Sequence, residues 1–89
     1  MYLARLRKRV ELKDPLAMLS IAIDGYGHGQ LGLPADQAKC VALLRQSAGL
    51  GLPPAQAQLG NFYLNGAMGL DQNEGRALKY YKEAAEGGY

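Results

Sequence analysis

With 89 residues, 48 % hydrophobic and 20 % charged, the chain suits one domain at most and has too much apolar content for a disordered segment. Its net charge of +2 is unevenly spread: residues 1–13 hold Arg5, Arg7, Lys8, Arg9 and Lys13 against Glu11, a net +4, and the rest carries −2, which excludes a domain-wide basic footprint for nucleic acid. The single cysteine, Cys40, excludes an internal disulfide.

No run approaches the ~18 uninterrupted apolar residues of a membrane span. The first residues, Met1 to Arg7, carry charge without a following apolar run, so they do not form a secretory signal. A cytoplasmic protein is the expectation.

Leu3, Leu6 and Val10 recur at helical spacing opposite Arg5, Lys8 and Arg9, which predicts an amphipathic helix over about 2–12. Asp14-Pro15 then supplies an N-cap carboxylate followed by a proline suited to the first helical turn. The second helix is expected to run to about Ile23, with Leu16, Leu19 and Ile23 on one face. Glycine density over Gly25–Gly32 argues against helix there, at about 1 kcal/mol per glycine relative to alanine.

Pro34-Ala35-Asp36 restarts the chain for a helix over about 35–49, facing Cys40, Leu43, Leu44, Ser47 and Ala48 inward, with Gly49 and Gly51 at its end. Pro53-Pro54 leads into a helix to about Leu64, with Ala55, Leu59, Phe62 and Tyr63 buried. After the loop Asn65–Gly69, Asp71 and Glu74 have the spacing of a capping box. The last helix carries an inner stripe of Ala77, Tyr81, Ala84 and Ala85 and stops at Gly87-Gly88. Nothing alternates as a β-strand does.

The halves repeat. Leu19 aligns with Leu59, Ile23 with Tyr63, Gly32-Leu33 with Gly69-Leu70, Asp36 with Asn73, Cys40 with Ala77, Leu44 with Tyr81 and Gly51 with Gly88. In this alignment the offset is 40 before the loop and 37 after it, so the two loops are expected to differ by three residues. A period in this range marks a solenoid, in which each unit buries its apolar face against its neighbours.

The second unit reads Ala55-x-x-x-Leu59-Gly60-x-x-Tyr63-x-x-Gly66-x-x-Gly69-Leu70, then Asn73-x-x-x-Ala77-x-x-x-Tyr81-x-x-Ala84-Ala85-x-x-Gly88. It resembles the Sel-one-like repeat (SLR), a relative of the tetratricopeptide repeat (TPR), and Lys79–Gly88 is similar to that family's second-helix signature almost letter for letter. The first unit is a weaker match, with Ser20 for the first glycine and Ile23 for the tyrosine. The resemblance implies an all-α fold: a short α-solenoid of two TPR-like helix-turn-helix repeats, at 14–53 and 54–89, preceded by an N-terminal capping helix within 1–13. Leu3, Leu6 and Val10 would cover the open end of the first repeat.

No catalytic, metal or cofactor site is expected. His28 stands alone between two glycines and lacks convergent partners. Gly25-x-Gly27-x-Gly29 lacks the preceding strand and following Gly-Lys-Ser/Thr of a phosphate loop. Asp24 and Asp36 suit caps and turns, Tyr63 and Tyr81 occupy repeat-core positions, and Cys40 stands where the other unit has alanine, as a small buried residue.

What the resemblance implies is a scaffold or adaptor without enzymatic activity, holding a protein or peptide partner on the concave helical surface. Gln58, Asn61 and Asn65 share one outward stripe, and the matching places in the first unit begin with Met18 and Ile21. With Tyr26 these residues are the expected contacts. The competing expectation is that Met18 and Ile21 pack beneath the first helix. Two alternative roles stand beside the scaffold: attachment to nucleic acid or lipid through the basic first helix, and end-to-end stacking into homo-oligomers. The chain stops at Gly88-Tyr89, where a further repeat would cover the last pair; an open apolar end, or a fragment of a longer protein, is the matching expectation.

Overall fold

The computed structural model describes residues 2–88, so Met1 and Tyr89, the outer bounds of the expected units, lie outside the described residues. The described chain is helical in five α-helices and one π-helix: α1 Tyr2–Glu11, α2 Pro15–Ser20 continued without a break as the π-helix Ile21–Gly27, α3 Gln37–Gly49, α4 Pro53–Asn65 and α5 Glu74–Glu86. Two antiparallel hairpins, α2–π with α3 and α4 with α5, stack side by side, α3 packing on α4. The shape is an elongated slab of 39 × 25 × 15 Å, as expected when each unit touches only its neighbours.

The main core lies between the hairpins. Ala22, Cys40, Leu44, Ala48, Ala55, Leu59 and Phe62 form one buried cluster. Each fully buried leucine-sized side chain contributes about 1.5–3 kcal/mol relative to exposure, and Leu44 and Leu59 are both at 0 %. A second cluster of Leu6, Ala17, Ile21 and Leu33, flanked by Leu3 and Val10, fastens α1 over the first hairpin. The amphipathic first helix is therefore a cap, and its basic residues face solvent.

Local chemistry sets the helix starts. Asp14 accepts from the amides of Leu16 and Ala17, Asp36 from Lys39 at 3.1 Å and Asn73 from Arg76 at 3.0 Å. The expected capping box of Asp71 and Glu74 is thus replaced by a cap at Asn73, the position matching Asp36. Ala85 is also not on the inner stripe of α5; it is exposed, and Ala77 and Ala84 are the buried residues.

The first helix of the first hairpin departs furthest from expectation. It does not end near Ile23 but runs on to Gly27, with the His28 amide donating to the Ile23 carbonyl at 2.9 Å, a five-residue step. Tertiary packing overrides the glycine penalty. Gly25 is buried, and a Cβ there would lie 2.8 Å from Leu33 Cδ1, so any larger residue would require the Leu33 side chain to shift.

That π-helix also corrects the internal alignment. At the helix start the units are 38 positions apart: buried Ala17, Ile21 and Ala22 match buried Ala55, Leu59 and Gly60. From Tyr26 onward the separation is 37. The Tyr26 carbonyl accepts from the Asp36 amide and the Tyr63 carbonyl from the Asn73 amide, both at 2.8 Å. Gly29 and Gly66 have φ of 67° and 64°, and Leu31 and Met68 have 61° and 57°. Tyr26, not Ile23, is the counterpart of Tyr63, and Ile21, not Leu19, that of Leu59. The loops are equal in length, and the one extra residue of the first unit is absorbed inside the helix, as a π-turn allows.

Candidate protein-interaction surfaces

The residues expected to meet a partner fall in three different environments. Met18 and Ile21 are 2 % and 4 % exposed, and Ile21 belongs to the cluster beneath α1. They present almost no surface, because the offset of 38 sets them against buried Gln56 and Leu59, not against an outward stripe. Asn61 is exposed but engaged: its Oδ1 accepts from the Tyr81 hydroxyl, tying α4 to α5. Gln58 is half-buried and Asn65 exposed. Tyr26 is half-buried, bridges both core clusters and carries the Lys39 ammonium 5.4 Å from its ring centroid.

Of these, Gln58 lines the groove between the first helices of the two hairpins, while Met18 only edges a separate pocket with Lys13, Gln46, Gly49 and Leu50. Leu19, Ser20, Ile23 and Asp24 from α2 and the π-helix face Pro54 and Gln58 from α4 across a cleft of about 310 Å³. The first helices of the two hairpins form its walls. Asp24 belongs to this helical wall because the helix continues past Ile23 as a π-helix, a feature that glycine content alone conceals.

A second cleft was not anticipated. The loop before α5 lies against α3, and Gln37, Ala38, Val41, Ala42, Arg45, Met68, Gly69 and Leu70 enclose about 410 Å³. It continues through Arg45, Gly69 and Leu70 into a polar chamber with Tyr63, Asp71, Asn73 and Arg76. There the Tyr63 hydroxyl accepts from Arg45 Nη2 at 2.7 Å and from Arg76 Nη1 at 3.3 Å. The Tyr63 ring is fixed by stacking on Tyr80, 5.8 Å between centroids with 5° between planes. Arg76 lies 5.5 Å from the Tyr63 centroid, as Lys39 does over Tyr26.

Small residues hold the α4–α5 pair close. A Cβ on Gly60 would meet Tyr81 Cε1 at 2.8 Å, so glycine there sets the approach of the two helices. Cys40 is fully buried, and burial pushes its thiol above the ordinary value, which keeps it neutral and unreactive. Among the described residues no helix is long and apolar enough to cross a membrane.

Comparison with known proteins agrees with this architecture. The Sel1 repeat family matches twice, at residues 15–52 and 53–89. The crystal structure of a Sel1 repeat protein from Oxalobacter formigenes is similar at 31 % identity with a TM-score of 0.90, the alignment covering 98 % of this chain and 63 % of that one. No curated protein matches the sequence. With both hairpins matched and the whole fold shared, the chain belongs to the Sel1 repeat family.

Proposed function

We propose that the chain is a non-catalytic adaptor that holds an extended segment of a partner protein in the groove between α2–π and α4. Sel1 repeats are in general protein–protein interaction modules, and the proposal places that role on particular residues. The observation that carries it is the groove itself. Leu19 and Ile23 offer half-buried apolar contact, while Ser20, Asp24 and Gln58 offer hydrogen-bonding groups, and Pro54 forms the far rim. Apolar and polar groups in near-equal measure suit a peptide, whose backbone must find hydrogen-bond partners as its side chains are buried.

The test is affinity capture followed by cross-linking. Partners recovered with the unaltered chain are compared with those recovered by Asp24→Arg/Gln58→Arg, which puts two long cations into the groove. Loss of specific partners with helicity retained is the expected result. Recovery of every partner by the variant would discard the groove.

A further inference from the structure

We infer that the chamber formed by Arg45, Arg76 and Tyr63 is a carboxylate-recognition site, and that it takes an acidic side chain of a protein segment whose neighbouring apolar residue fills the adjoining cleft. The inference rests on the reading of the chain as a protein-binding module, but it uses residues that share nothing with the groove between α2–π and α4.

Two guanidinium groups from different hairpins converge on one phenol oxygen. Arg45 comes from α3 and Arg76 from α5, and each gives one N–H to Tyr63, leaving four donors on each planar fork. Two guanidiniums that share one neutral oxygen repel each other, weakly because both residues reach solvent, and an anion between them would turn that repulsion into attraction. Among the described residues no carboxylate lies within ion-pairing distance of either; the ion pair found is Arg9 with Asp14, at the other end of the molecule. The Tyr63 hydroxyl accepts from both arginines, and no hydrogen bond that it donates is found among the described residues. Its proton is available to an incoming acceptor.

Charge and shape narrow the ligand. Asp71 also lines the chamber, so two guanidiniums and one carboxylate leave a single excess positive charge, which suits a monoanionic carboxylate better than a phosphate dianion. Arginine forks match carboxylate oxygens in bidentate geometry. The chamber opens through Arg45, Gly69 and Leu70 onto Ala38, Val41, Ala42 and Met68, an apolar neighbour that an isolated small anion would leave empty. An acidic residue beside an apolar one engages both.

The first unit offers an internal contrast. Lys39 over Tyr26 repeats Arg76 over Tyr63, but no second guanidinium reaches Tyr26 among the described residues. The double-arginine site arises only where one hairpin receives a cation from the hairpin before it.

The experiment titrates the labelled protein with acetyl-Leu-Glu-amide, acetyl-Leu-Gln-amide and inorganic phosphate, following the arginine Nε–H signals and the amides of Gly69 and Leu70 by NMR. The glutamate peptide should shift all four and bind at least about tenfold more tightly than its uncharged isostere. Arg45→Gln/Arg76→Gln should abolish that preference. Equal binding of the two peptides, or an unchanged preference in the double variant, would overturn the inference, as would phosphate binding more tightly than the glutamate peptide. If the double variant does not fold, the glutamate-to-glutamine comparison on the unaltered chain decides. A failure here leaves the Asp24 and Gln58 experiment untouched, and the reverse holds too.

Discussion

The two hairpins share a loop and differ in the helix that enters it. From Tyr26 and Tyr63 onward they superimpose in backbone detail: the same carbonyl-to-amide bond, the same left-handed positions at Gly29 and Gly66, Leu31 and Met68, Gly32 and Gly69. Before that point the first hairpin carries one residue more. The loop has no slack to absorb it, because its length is fixed by a hydrogen bond at one end and by successive positive-φ residues along it. The helix absorbs it instead, by widening to a π-turn over Ile21–Gly27. An insertion in a tightly turned repeat is therefore taken up where the backbone can change its hydrogen-bond step without moving its ends.

The largest effect separates the cores of the two units. Leu59 and Ile21 occupy matching positions, but Leu59 is enclosed in the cluster between the hairpins, whereas Ile21 lies beneath α1. Leu59→Ala should cost about 2–5 kcal/mol, as for truncations that leave an unfilled cavity, measured by urea denaturation. Ile21→Ala should cost less, because α1 is joined to the rest by one cluster and can settle into the space. Equal losses would show that α1 is an integral part of the core and not a cover.

The comparison itself can be broken by removing the extra residue. Deleting Asp24 brings the spacing from Ala17 to Tyr26 down to that from Ala55 to Tyr63, and the π-turn should revert to α-helix. The chain should stay folded with a smaller loss of stability than Leu59→Ala, and the Asp36 amide should remain protected from hydrogen exchange by the Tyr26 carbonyl. Exchange at that amide becoming fast would mean that the loop, not the helix, had been carrying the surplus.

Much of this was legible in the sequence, and the failures have a common cause. Helical periodicity, the Asp14-Pro15 and Pro53-Pro54 starts, the Leu3/Leu6/Val10 cap and the pairing of Cys40 with Ala77 all depend on local spacing, and the structure bears them out. The interruption at Gly25 was misplaced because glycine propensity is local, while the contact of Gly25 with Leu33 is made across the hairpin. That error shifted the alignment by two residues and put Met18 and Ile21 on the outside. The Arg45–Tyr63–Arg76 chamber was invisible for another reason: its members lie 18 and 13 residues apart on three helices, and no spacing rule joins them.

The smallest expected effect concerns how each hairpin begins. Asp14 caps α2 with a carboxylate, and the matching position before α4 is Leu52, which makes no side-chain cap. The Arg9 guanidinium, with Nε 2.6 Å from Asp14 Oδ2, is the main influence holding the carboxyl below its usual value of 3.8, assisted by the Ala17 and Leu16 amides against a partial burial cost. A depressed carboxyl binds its proton less tightly folded than unfolded. Its contribution is therefore fully present above about pH 4 and disappears as pH falls through the lower folded value. Asp14→Asn keeps an acceptor for the helix amides but removes the charge. Stability at pH 7 should change little, since the pair with Arg9 is exposed, while the acid side of the stability–pH curve should flatten in thermal melts between pH 2 and 5. Leu52→Asp should have the opposite consequence for acid sensitivity, giving the second hairpin a new acid-sensitive cap, with a pH-independent loss from the packing that Leu52 makes against the main cluster. An Asp14→Asn curve that coincides with the unaltered protein throughout this range would show that the Arg9 pair and the cap are equally strong in the unfolded chain, and that the difference between the two helix starts carries no energetic weight.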